Sequence, residues 1–119
     1  MATFVFTQLD VWQKAHELAL KTYRATDAFP RKERFRLTQQ ATTAAVSISA
    51  NIAEGYGRRS PRDKMRFCNH SEGSLQELRN CYLLAKDLGY MVEADCPFDL
   101  IRDVESMLRR LISAIGRDL

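Results

Sequence analysis

Apolar residues recur along most of this chain at three- and four-residue spacing, the period of a helix packed on one side. Val11, Ala15, Leu18 and Thr22, flanked by Trp12, Ala19 and Tyr23, predict a first helix over about 8–27, ended by Phe29-Pro30. Leu37, Ala41, Ala44, Ile48 and Ile52 predict a second over about 34–54, with Gly55 as the left-handed residue after its end. Ser60-Pro61-Arg62-Asp63 combines a capping hydroxyl, a first-turn proline and an acid at the positive helix end. It opens a third helix over about 61–88 whose inner face reads Phe67, Ser71, Ser74, Leu78, Cys81 and Ala85, with Leu75 and Tyr82 beside it. Gly73 is expected to permit close helix approach and Gly89 to close the helix. Asp95 and Pro97 open a fourth over about 97–117, where Ile101, Val104, Leu108, Leu111, Ile112 and Ile115 make the cleanest stripe in the chain.

Four helices on short connections, without a repeat or a low-complexity stretch, predict an all-α fold. The expectation is one domain over 1–119, an antiparallel up-down-up-down four-helix bundle. A hydrophobic share of 45% and a charged share of 28%, with few Gly and Pro, argue against disorder. No apolar stretch approaches the roughly 20 residues of a membrane span, and MATFVFTQLDVW lacks the pattern of a secretion signal. Cys68, Cys81 and Cys96 are odd in number and lack CxxC spacing, so they form neither a disulfide framework nor a zinc site. Cys68 and Cys81 read as core thiols, and a cytoplasmic protein without membrane association is expected.

Catalytic chemistry finds little support. Di-iron bundles use Glu-x-x-His on two helices, but His16 follows Gln13 at that spacing and His70 follows Phe67. The GxG at Gly55 to Gly57 follows no strand, and His70 lies two residues from Cys68, on a different side of a helix. The expectation is no enzyme, no metal and no cofactor; a metal-dependent bundle enzyme is the remotest reading.

The polar residues of the second helix carry more information. At 100° per residue Gln40, Ser47, Asn51 and Glu54 fall in one row beside the apolar stripe, a polar seam to which Glu77 of the third helix is assigned. Asn51 is expected to bond backbone groups of the next connection, and Glu54 to accept from backbone amides or from Arg58 or Arg59, bracing that loop. On the far side lie Thr42, Val46, Ala50 and Ala53, which offer no charge where a bundle helix should face water. A helix small or apolar nearly all round is buried on both sides, so these four read as an oligomer interface rather than as singly exposed apolar residues. A symmetric dimer and a closed ring both satisfy that pattern.

Charge is unevenly placed. Arg31, Lys32, Arg34 and Arg36 make the first connection basic, and Arg58, Arg59, Arg62, Lys64 and Arg66 the second, whereas six acids between Asp87 and Glu105 face one Arg102. In an up-down-up-down bundle the first cluster shares its end with Glu93, Asp95 and Asp99, which can largely neutralise it. The second shares its end with Arg109, Arg110 and Arg117 and has few acids to balance it. These eight residues are the predicted nucleic-acid contacts, made chiefly to phosphate because only Tyr56 is set as an aromatic among them. A solvated basic surface without a partner is the plainer alternative.

The segments LDVWQKAHELA, LTQQATTAAVSISANIAEGYGR and SEGSLQELRNCYLLAKDLGY resemble the four-helix-bundle proteins encoded in intervening sequences of bacterial large-subunit ribosomal RNA genes. Asn51-Ile52-Ala53-Glu54-Gly55 and Gly73-Ser74-Leu75-x-Glu77-Leu78 carry the resemblance most specifically, within about Leu9 to Tyr90. That family is similar to the accessory variability proteins of diversity-generating retroelements. The likeness implies a homopentameric ring, nucleic-acid association, no catalysis, and a reverse-transcriptase partner if the gene lies in a retroelement. The combined expectation is a non-catalytic homo-oligomeric accessory protein that binds RNA or DNA backbone. The alternative is a protein-interaction scaffold that binds no nucleic acid.

Overall fold

The computed structural model describes residues 5–119, so residues 1–4 of the predicted domain lie outside the described residues. Four α-helices are present, α1 (Asp10–Thr26), α2 (Leu37–Tyr56), α3 (Pro61–Asp87) and α4 (Phe98–Gly116), with short 3-10 turns before α1, α2 and α4. No strand occurs among the described residues. Each helix packs on its sequence neighbour and α1 closes on α4, which gives the expected bundle with α2 and α4 on one diagonal. The predicted stripes meet in one core: Ala15 and Leu18 from α1, Ala45 and Ile48 from α2, Leu75 and Leu78 from α3, and Ile101, Val104 and Leu108 from α4.

Small residues bring α2 and α3 together. The buried Ser71 hydroxyl donates to the Ile48 carbonyl at 2.7 Å, and Ser47 and Ser74 share a hydrogen bond of 2.7 Å. A Cβ placed on Gly55 would stand 3.0 Å from Cβ of Phe67, so this glycine sits where the two helices touch. It lies within α2 and does not terminate it; the positive-φ glycine among the described residues is Gly89. Gly73, expected at a close approach, instead faces open space.

Helix ends follow local chemistry. Ser60 accepts from the Asp63 amide at 3.1 Å and Pro61 occupies the first turn of α3. Pro61 also holds Ser60 in extended backbone, so α2 and α3 cannot run on as one helix. At the far end of α3, Gly89 at φ 81° lets the Tyr90 amide reach back to the Ala85 carbonyl at 2.9 Å, a Schellman closure. α2 starts at Leu37, three residues later than expected, because Pro30 leads into a tight turn over Arg31–Glu33 that buries the Glu33 carboxylate. Tyr90 donates to that carboxylate at 2.7 Å, joining the first connection to the third.

Candidate nucleic-acid interface

The four-residue link from α2 to α3 puts a basic run beside an aromatic pair. Arg58 and Arg66 each hold their guanidinium carbon 4.7 Å from the ring centroid of Phe67, whose side chain is itself buried. Each also has a carboxylate one turn away: Arg58 lies 3.8 Å from Glu54, and Arg66 lies 3.7 Å from Asp63. Lys64 donates to the Tyr56 carbonyl at 3.2 Å and lies over the Tyr56 ring, so it ties down the end of α2. Arg59 and Arg62 engage no carboxylate among the described residues. Three of the five predicted side chains are therefore held by rings, acids or carbonyls, and two are left to solvent.

The end of α4 joins this region. Gly116 lies against Met65, and Leu119 lines a surface depression with Arg62, Met65, Arg66, Asn69 and His70. Arg117 stands there without a carboxylate partner among the described residues, and Arg110 donates to the Ser106 hydroxyl at 3.3 Å. Arg109 is more engaged, bonded to Glu105 at 3.5 Å and 4.0 Å from Glu72. Glu105 is the hub of a seam between α3 and α4. Arg79 clasps it with two bonds of 3.1 Å and Gln76 donates to it at 2.7 Å, and the Arg79 bonds, foremost, hold its carboxyl below the ordinary range. Helical spacing gave no sign of this cross-helix fork, since neither Arg79 nor Glu105 departs from an ordinary charged face.

The polar seam lies between α2 and α3, and Asn51 acts differently from expectation. Asn51 donates to the Ser47 carbonyl at 2.8 Å and to the Ser47 hydroxyl at 3.0 Å, so it stays within its own helix and does not reach the next connection. Gln40 approaches Glu77 at 3.5 Å. Glu54 pairs with Arg58 at 3.8 Å, as expected, although it points outward from the seam. The loop is braced by Lys64 and by the Phe67 ring more than by Asn51.

On the other side of α2, Val46 is 42% exposed, Ala50 is exposed, and Thr42 and Ala53 are half-buried. The Thr42 hydroxyl is satisfied by the Thr38 carbonyl at 2.9 Å. From Leu37 to Ala53 the helix carries no charge, so this face is uncharged as well as exposed.

At the opposite end the first and third connections share space, but no salt bridge joins them among the described residues. Glu93 pairs with Lys86 at 3.6 Å, and Asp99 pairs with Arg102 in its own helix. Arg31, Lys32, Arg34 and Arg36 enter no salt bridge among the described residues, although these acids share their end of the bundle.

The thiols are core groups. Cys68, Cys81 and Cys96 are free and buried, and burial, helped by the charge of Glu77, pushes the Cys81 thiol up to about 11. Burial also raises Cys68, with Lys64 opposing it. Among the described residues, no three His, Cys, Asp or Glu side chains gather at metal-binding separation, and no helix is long and apolar enough to cross a membrane.

Fold and surface together define a small antiparallel helical bundle whose first two connections are both rich in arginine and lysine. A family model described as 23S rRNA-intervening sequence protein matches residues 7–113, and the chain belongs to that family. No curated protein matches the chain.

Proposed function

We propose that the protein is a non-catalytic accessory protein that self-associates and binds the backbone of RNA or DNA through the end containing Arg58, Arg59, Arg62, Lys64 and Arg66. One observation carries the reading: Arg58 and Arg66 lay their guanidinium groups against one ring, next to Arg59 and Arg62, which enter no salt bridge among the described residues. Cations held in place lose less freedom on meeting phosphate, and unpaired ones have the most counterion to release. Self-association uses Thr42, Val46, Ala50 and Ala53, an exposed helix face without charge. Copies in a ring would repeat the basic end around the axis; five copies and a reverse-transcriptase partner are what kinship with retroelement accessory proteins would imply.

Salt-titrated binding to generic RNA and DNA, read with the light-scattering mass, tests this. Binding that weakens steeply with salt, by an oligomer, is expected. Absence of binding at low salt removes the nucleic-acid reading, and a monomeric mass at micromolar concentration removes the oligomer. A protein-interaction scaffold is the second reading, favoured by Leu84, Leu88 and Val92, which leave 45%, 50% and 62% of their surfaces exposed near the other end.

A further inference from the structure

α4 buries Ile101, Val104, Leu108 and Ile115 and turns a different set of residues outward. At 100° per residue Arg102, Ser106, Arg109, Arg110, Ser113 and Arg117 share that outward side. They line a shallow trough along the helix, with Glu105 at its edge. From Arg102 to Arg117 the row runs roughly 22 Å. Its charge is graded: Arg102 is neutralised by Asp99 and Arg109 partly by Glu105 and Glu72, whereas Arg110 meets only a serine hydroxyl. No acidic residue occurs from Ser106 to Arg117. Asp118 closes this acid-free stretch, and the end of the helix adjoins Arg62 and Arg66 through Leu119.

Favourable interaction with the negative end of the helix would account for cations in its last turn alone. Arg109 and Arg110 lie earlier, and serines rather than bulky side chains occupy the positions between the arginines. Such a floor lets an anionic oxygen approach a guanidinium and a hydroxyl together. α4 is also diagonal to α2, so assembly through the uncharged face of α2 leaves the trough open.

We propose that a nucleic-acid strand bound at the basic end continues along the outward face of α4, with Arg110 and Arg117 on its phosphates, Arg109 beside them, and the Ser106 and Ser113 hydroxyls donating between. The inference rests on the nucleic-acid reading. A row of cations that outnumbers its acids, leading out of a basic end, complements a polyanionic chain, and the strand path follows the bundle side as well as crossing its end.

The test is fluorescence anisotropy with labelled oligouridylate on wild type, Ser113→Glu, and the double variant Arg110→Gln/Arg117→Gln, all of which alter exposed positions. Ser113→Glu puts a carboxylate in the trough without removing any arginine and should weaken binding about fivefold or more. The double variant should lower the slope of log affinity against log salt by about 1.4, from roughly 0.7 per phosphate contact on a single strand. Wild-type affinity and slope in both variants, with binding lost in Arg58→Glu/Arg59→Glu/Arg62→Glu, would overturn the α4 path and leave the basic end standing. Wild type that shows no salt-dependent binding would remove both.

Discussion

The two ends of the bundle begin from similar sequence and finish as different surfaces. Each receives a connection dense in arginine and lysine. At one end Arg31, Lys32, Arg34 and Arg36 share space with Glu93, Asp95 and Asp99, and the turn is anchored by the buried Glu33 carboxylate and Tyr90. At the other, Arg58 and Arg66 are laid against Phe67, the end of α4 contributes Arg110 and Arg117, and Arg59 and Arg62 enter no salt bridge among the described residues. A basic run is thus informative only once topology says which acids share its end. Neutralisation there is a matter of shared space rather than of paired side chains, because the acids bond elsewhere.

Reversing charge at each end separately gives the largest expected effect. Arg58→Glu/Arg59→Glu/Arg62→Glu should weaken RNA binding about a hundredfold at about 50 mM salt, since three phosphate contacts become repulsions. Arg31→Glu/Arg34→Glu/Arg36→Glu should change it less than about threefold. Anisotropy titrations of the two triple variants decide the point, and equal losses would mean that the ends do not differ in function.

Much of this contrast can be read from sequence, and its mechanics cannot. Stripe spacing located four helices, Ser60 and Pro61 opened α3, and Gly89 closed it, because caps and periodicity are local signals. Gly55 looked like a helix stop, and only the packed pair shows it as the contact with Phe67. Of the two residues expected to brace the loop, Glu54 pairs with Arg58 as its spacing suggests, whereas Asn51 turns back to Ser47 within its own helix. Glu33 with Tyr90, and Arg79 with Glu105, lie 57 and 26 residues apart, and no spacing rule reports a partner so distant. The Thr22–Tyr82 bond of 2.8 Å in the core is invisible to spacing for the same reason.

A smaller effect should follow from loosening the acid-containing end alone. Tyr90→Phe removes the hydroxyl that donates to Glu33 while keeping the ring against Phe29 at 5.7 Å. The thermal midpoint should fall by about 3 °C or more, because a buried carboxylate is left with one donor fewer. RNA affinity should not move. A binding loss that matched the stability loss would couple the two ends and undo the separation drawn between them.

The smallest effect is expected midway, at the fork that fixes α4 against α3. Arg79 and its neighbours hold the Glu105 carboxyl below its ordinary value of 4.5, so the folded state favours the charged form. A depressed carboxylate contributes stability at pH above that value and loses it as pH falls through the folded one. Glu105→Gln should therefore cost about 1 kcal/mol at neutral pH, and the cost should shrink as pH falls below the ordinary carboxylate range. Because Arg109 also leans on Glu105, the variant frees a cation on the face leading to the basic end. Chemical denaturation at neutral and acidic pH measures the first consequence, and RNA titration the second, where affinity should hold or rise slightly. A fall in affinity would show that Arg109 needs Glu105 to be oriented, and that the α4 face depends on the seam as much as on its own charge.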